Sequence, residues 1–147
     1  METHSTEHPG ASWPAAKEGG LVSLALNTYV DQRGTIRNLT EHTIGSVAVI
    51  FSKGNTERSN HWHRRDRHYL FTLSGRWMYQ ECAVGEDVTR VDPLYVEVGE
   101  TVYTPPNRVH RCTFLEDTTL ISMSELTRTH ENHESDVVRL EKSNGKE

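Results

Sequence analysis

Residues 61–68 read HWHRRDRH, which places three imidazoles, His61, His63 and His68, within eight positions. Neutral imidazole is a borderline ligand that suits Zn, Fe, Ni and Cu, so this density points to a metal site. Side chains two apart on a strand share a face. His61 and His63 therefore project together, with Trp62 opposite. His68 stands five residues beyond His63, an odd step that would turn it away on one continuous strand. A turn through residues 64–67 resets the phase and brings His68 back toward the same pocket. The following HYLFTLS alternates, with His68, Leu70 and Thr72 on one face and Tyr69, Phe71 and Leu73 on the other. The plainer alternative is a polar loop that is rich in histidine.

A fourth imidazole lies downstream in GETVYTPPNRVH, residues 99–110. Pro105 and Pro106 end the TVYT strand, because proline fixes φ and offers no ladder N–H. Asn107 takes a left-handed conformation more readily than most residues, so the chain can re-enter a strand at Val109 and His110.

Together these segments resemble the two sequence motifs of the cupin superfamily. In the first, Gly54 leads to His61-Trp62-His63, four residues, His68, six residues and Gly75. In the second, Gly99 leads through five residues to Pro105-Pro106-Asn107, two residues, His110, three residues and Phe114. Three positions depart from the family pattern: His68 replaces a glutamate, Asn107 a turn glycine and Phe114 an asparagine. The resemblance covers residues 21 to 126. It implies a jelly-roll β-sandwich, a homodimer, and one divalent transition metal (Fe, Mn, Ni or Zn) held by His61, His63, His68 and His110.

Four neutral ligands would leave nearly the full +2 charge on such an ion. That favours an anionic small molecule or one that chelates through oxygen. Octahedral geometry would leave two positions open for substrate or water.

The elements that would position these groups are short strands. LVSLALNTYV, SVAVIFS, HYLFTLS, RWMYQECAV, LYVEV, TVYT, HRCTFL and TTLISMSEL are rich in β-branched and aromatic residues and are punctuated by turn formers. This texture predicts an all-β sandwich or small barrel. At 147 residues the chain suits one domain. Residues 1–20 read as a flexible arm, 21–126 as the β domain and 127–147 as a polar tail. In the tail, DVVRLEK reads equally as a short helix capped by Ser135 or as a frayed terminus; His130 and His133, three apart, would share one helical face as two ligands, the plainer reading being that both are solvated. A net charge of −5 and the lack of a basic arm argue against nucleic-acid binding. Two cysteines, no secretory pattern at the N-terminus and no apolar run near 20 residues predict a cytoplasmic, membrane-independent protein.

Two stretches carry a weaker resemblance, to the dTDP-sugar 3,5-epimerases and 3,4-ketoisomerases within the cupins: DQRGTI at 31–36 and RSNH at 58–61. It implies that Arg33 and Arg58 contact a nucleotide pyrophosphate, and it sets His61 where those metal-free enzymes have their base. Trp77, Tyr79 and Tyr103 fit either the core, the commoner place for strand aromatics, or the barrel mouth, with Trp77 against substrate and the tyrosines as proton carriers. The favoured reading is a metal-dependent enzyme of isomerase, epimerase, cyclase or lyase type. The alternatives are an Fe(II)-dependent dioxygenase on the same histidines, a metal-free sugar-nucleotide epimerase or ketoisomerase, and a non-catalytic ligand-binding cupin.

Overall fold

The computed structural model describes residues 21–22, 28–40 and 42–140, which form twelve strands, one short α-helix and a single 3-10 turn at Val88–Arg90. The expected N-terminal arm lies outside the described residues. In chain order the elements are β1 (Leu21–Val22), β2 (Thr28–Asp31), β3 (Gly34–Arg37), β4 (Ser46–Ser52), β5 (Thr56–His63), β6 (His68–Ser74), β7 (Trp77–Ala83), β8 (Leu94–Val96), β9 (Thr101–Thr104), β10 (Arg108–Phe114), β11 (Thr118–Ser124), α1 (His130–Asp136) and β12 (Val137–Arg139). The expected runs at 46–52, 68–74 and 101–104 coincide with β4, β6 and β9.

The strands form two five-stranded antiparallel sheets, β1-β9-β6-β11-β4 and β12-β5-β10-β7-β8, and β2 and β3 form a separate hairpin. Trp77 and Phe114 from one sheet pack with Val102 and Leu120 from the other to form the central core. This double-sheet jelly roll agrees with the all-β expectation. The alternation expected along β6 also holds. Leu70 joins the core, whereas Tyr69 joins Tyr103 and Met123 in a second apolar cluster with Leu39 and Ile44.

Turn chemistry sets the strand ends. Gly75 has φ +92°, and a Cβ there would lie within 2.6 Å of Thr118 and Asp117 atoms, so glycine is required. Asn107 takes φ +61°, as its place after two prolines leads one to expect.

The C-terminal expectations need correction. The helix is not DVVRLEK capped by Ser135. It is His130–Asp136, and the Thr129 side chain accepts from Asn132 N–H at its start. Val137 and Val138 leave the helix for a strand, pairing with His63 and Trp62 of β5. β-Branched residues lose rotamer freedom in a helix and pack well on a sheet edge. Residues up to Arg139 thus complete a sheet instead of forming a loose polar tail.

Candidate metal centre

β5 and β10 are neighbours in one sheet, and their register sets His110 directly opposite His61. The ladder then slips, so that Arg111 faces Ser59 and Asn60 is the extra residue, at φ +59°. Such a bulge reverses the facing of everything beyond it. Arg58 and His61 are three apart and should face opposite ways, yet both line one cavity. On β10 the regular alternation presents His110, Cys112 and Phe114 inward. The cavity has a volume of about 320 Å³, and His68, Leu70, Leu120 and Ser122 close it from the opposite sheet.

The ring of His110 lies 4.7 Å from His61, 5.5 Å from His63 and 5.3 Å from His68. Histidines distant in sequence therefore converge, as the spacing predicts. They do not converge equally. Ligand atoms of His61, His63 and His110 all lie within 4.8 Å of one another, a set that does not include His68. The cause is topological. The first three side chains come from two paired strands, whereas His68 reaches across from β6 in the facing sheet.

The partners of each ring define its free nitrogen. His63 Nδ1 lies 3.1 Å from Asp136 Oδ2, which fixes the proton there. Its Nε2 is buried with no hydrogen-bond partner. An orphaned buried nitrogen on a carboxylate-backed imidazole is what a metal ligand looks like without its ion. His110 donates from Nδ1 to the Arg108 carbonyl at 3.2 Å, leaving its Nε2 as the lone-pair nitrogen. The donor set therefore fits a divalent transition metal: three neutral imidazoles, two of them with the tautomer fixed from behind.

Electrostatics keep these rings uncharged. Burial, then the neighbouring His110 and His63, lower His61 to about 2, and burial with His63 lowers His110 to about 3. His68 is held well below its usual value by burial, then by His110 and Arg128. Burial and Arg128 also lower His63, against the pull of Asp136.

The cavity is also lined by two residues that the sequence does not place there. Arg128 lines the cavity, and its guanidinium is oriented by Asp66 (Nε to Oδ2, 2.9 Å). His133 on α1 also lines it, 5.7 Å from the His63 ring. Both fall in the stretch that reads as polar tail: Asp66 and Ser46 hold Arg128 at the cup, and the pairing of β12 with β5 brings α1 and His133 to it. His130, by contrast, is exposed as expected.

Four other expected site residues are placed elsewhere. Tyr79 is buried, and its hydroxyl is bonded to Glu81 and Thr104. Tyr103 points to the far side of β9, into the second apolar cluster. Alternation explains that reversal, because Val102 takes the inward place. Trp77 is fully buried in the core and donates from Nε1 to Thr72. Arg33 sits exposed on the β2–β3 hairpin, paired with Asp31, and lines a separate open cavity with Tyr29 and Ile36. Arg58 alone of the expected substrate contacts lines the histidine cavity, held by the Ser52 hydroxyl and the Phe51 carbonyl.

Fold and site together define a cupin-type jelly roll with a histidine-lined cup. No family model matches the chain, and no match was found among curated proteins. Solved structures do resemble it. A double variant of the QdtA 3,4-ketoisomerase from Thermoanaerobacterium thermosaccharolyticum, in complex with TDP, superposes with a TM-score of 0.61 at 18% identity, covering 77% of this chain and 82% of that one. The dTDP-4-dehydrorhamnose 3,5-epimerase from Sulfolobus tokodaii gives 0.61 at 14% identity, over 79% and 74%. The capsular polysaccharide assembling protein CapF from Staphylococcus aureus gives 0.59 at 24% identity, over 89% of this chain but only 33% of CapF. The chain thus spans about a third of that protein. Among the described residues no helix is long and apolar enough to cross a membrane.

Proposed function

We propose that this protein is an isomerase or epimerase of anionic, oxygenated small molecules of the keto-sugar nucleotide class, working with one divalent metal ion at His61, His63 and His110. The observation that carries the reading is the orphaned Nε2 of His63. It sits in a cavity lined by Arg58 and Arg128 and, among the described residues, by no carboxylate. A cup with two guanidiniums and no acid favours an anion. The names of the similar structures supply the substrate class, and one CapF structure contains the inhibitor 3-isopropenyl-tropolone. Tropolones chelate cations through two adjacent oxygens, which suits a metal-containing cup.

The ion would supply Lewis acidity toward a carbonyl or enolate oxygen. Arg58 and Arg128 would orient the anionic portion of the substrate. Removal of a proton next to the carbonyl needs a neutral base outside the triad. His133 meets this need: it lines the cavity, and burial followed by Arg128 favours its unprotonated ring.

Elemental analysis of purified protein beside His110→Ala tests the site. One ion per chain, lost in the variant, is expected. Solvent deuterium uptake into TDP-4-keto-6-deoxyglucose tests the chemistry and should fall at least tenfold after chelation. A second reading, a metal-free ketoisomerase or epimerase, is favoured by the names of the neighbours and predicts uptake that survives EDTA. Oxygen consumption with Fe(II) and none with Zn(II) would instead mark a dioxygenase. Ligand binding without exchange would mark a non-catalytic module.

A homodimer belongs to the same reading. β4 ends its sheet, and Val47, Val49 and Phe51 on its outer side are 67%, 72% and 53% exposed. A long apolar edge strand invites pairing with a second copy of itself. Light scattering should return twice the chain mass, and Val49→Lys should return the monomer.

A further inference from the structure

Two histidines of the cup are backed by groups of opposite charge. Behind His63 stands a carboxylate, Asp136. Behind His68 stands a guanidinium, with Arg128 Nη2 3.2 Å from His68 Nδ1. Arginine can only donate, so His68 Nδ1 must be the accepting, lone-pair nitrogen. A neutral imidazole has one proton, and that proton then sits on Nε2. A nitrogen that carries a proton cannot bind a metal.

The guanidinium cannot easily turn away. Its Nε is held by Asp66 at 2.9 Å, and Asp66 is fixed in turn by the N–H groups of Arg67 and Leu126 at 2.9 and 3.1 Å. Arg128 N–H is itself anchored on Ser46 Oγ. The turn at residues 64–67 therefore does more than reset the strand phase. It plants Asp66, which aims a cation at the back of His68. A positive group there also opposes a second cation on the far side of the same ring.

We infer that His68 is not the fourth ligand of the centre but its fixed hydrogen-bond donor, an imidazole with the proton on Nε2 that receives an anionic oxygen of the bound molecule beside the three-histidine triad. His68 thereby determines specificity: its Nε2–H donates to an oxygen anion where the glutamate of the family motif would repel it. The ligand part of this inference rests on the reading proposed above; the tautomer does not.

Full-length protein labelled with 15N-histidine tests it by two-bond 15N–1H correlation, with His68→Gln identifying the signal. A lone-pair Nδ1 and a protonated Nε2 at His68 are expected, both in metal-free and in zinc-loaded protein. A proton on Nδ1, or an Nε2 that shifts to a metal-bound value on zinc addition, would overturn the inference. Zinc stoichiometry gives a second readout. His68→Gln should keep one zinc per chain while His110→Ala loses it, and loss in both would restore His68 as a ligand. If wild-type protein binds no zinc, the proposed metal centre fails, whereas the tautomer is still read in metal-free protein. Inorganic phosphate probes the donor role. A charge-assisted hydrogen bond is worth roughly 1.5–3 kcal/mol, so His68→Leu should weaken phosphate binding about tenfold or more, with His130→Ala unchanged. Equal affinity in His68→Leu and wild type would remove the donor role.

Discussion

Asp136 accepts from three donors: His63 Nδ1, the Arg65 N–H at 2.7 Å and the Asp66 N–H at 3.3 Å. Burial alone would raise its pKa, but the hydrogen bonds outweigh that and hold it below the ordinary carboxylate value. It therefore stays charged behind His63, fixing the tautomer and raising the basicity of Nε2. Carboxylates in this position are commonly worth 10- to 100-fold in metal affinity. Asp136→Asn keeps the shape but loses the charge, and zinc affinity, followed by competition with a chromogenic chelator, should fall by about that factor. An unchanged affinity would mean that His63 binds nothing. The histidine spacing carries this much in plain view: His61, His63 and His110 are legible because strand periodicity places them. Asp136 is not legible, because a lone acid in a charged tail has no local signal that ties it to a residue 73 positions earlier.

α1 and β12 are the elements that the sequence conceals and the site requires. Their composition is polar, and a seven-residue helix with one capping threonine is too short to be stable alone. Its stability comes from tertiary contacts, chiefly the three-residue pairing of β12 with β5. The bulge at Asn60 is concealed for a related reason. Nothing in RSNH announces an extra residue, although asparagine is among the few side chains that tolerate its φ of +59°. By contrast β4, β6 and β9 could be read to the residue, because each is a clean apolar run between turn formers. The placement of Tyr79, Tyr103 and Trp77 fails at this same scale. Alternation tells which residues share a face, but not which of two faces is the cup. A chain truncated after Arg128 tests how far the terminal elements matter. It loses Asp136 and His133 and exposes the edge of β5. Its melting temperature should drop, and zinc should raise it by less than half the shift seen in full-length protein. A full zinc-induced shift would return α1 and β12 to the role of a passive tail.

On the scale of the whole molecule, the centre has a cost that appears as acid sensitivity. His61, His68 and His110 are kept neutral in the folded state, with His61 near 2 and His110 near 3. In the unfolded chain each has the ordinary value of about 6.5. Between these limits the unfolded chain binds protons that the folded chain refuses, so stability must rise with pH and fall as pH drops. The window opens near pH 6.5 and runs down to about 3. Within it, each such imidazole contributes on the order of 1.4 kcal/mol per pH unit, an upper figure since partial opening of the cup admits water. Asp136, whose pKa is lowered, loses its stabilising hydrogen bonds in the same direction at the acid end. Urea unfolding of metal-free protein at pH 7.5, 6.5, 5.5 and 4.5 should therefore show a nearly level first step and progressively larger losses. His110→Gln, which cannot be protonated, should show a shallower slope below pH 6.5 even if it is less stable at neutral pH. Stability that stays level or rises toward pH 4.5 would mean that the cup admits protons freely, and the orphaned nitrogen of His63 could not then be waiting for a metal.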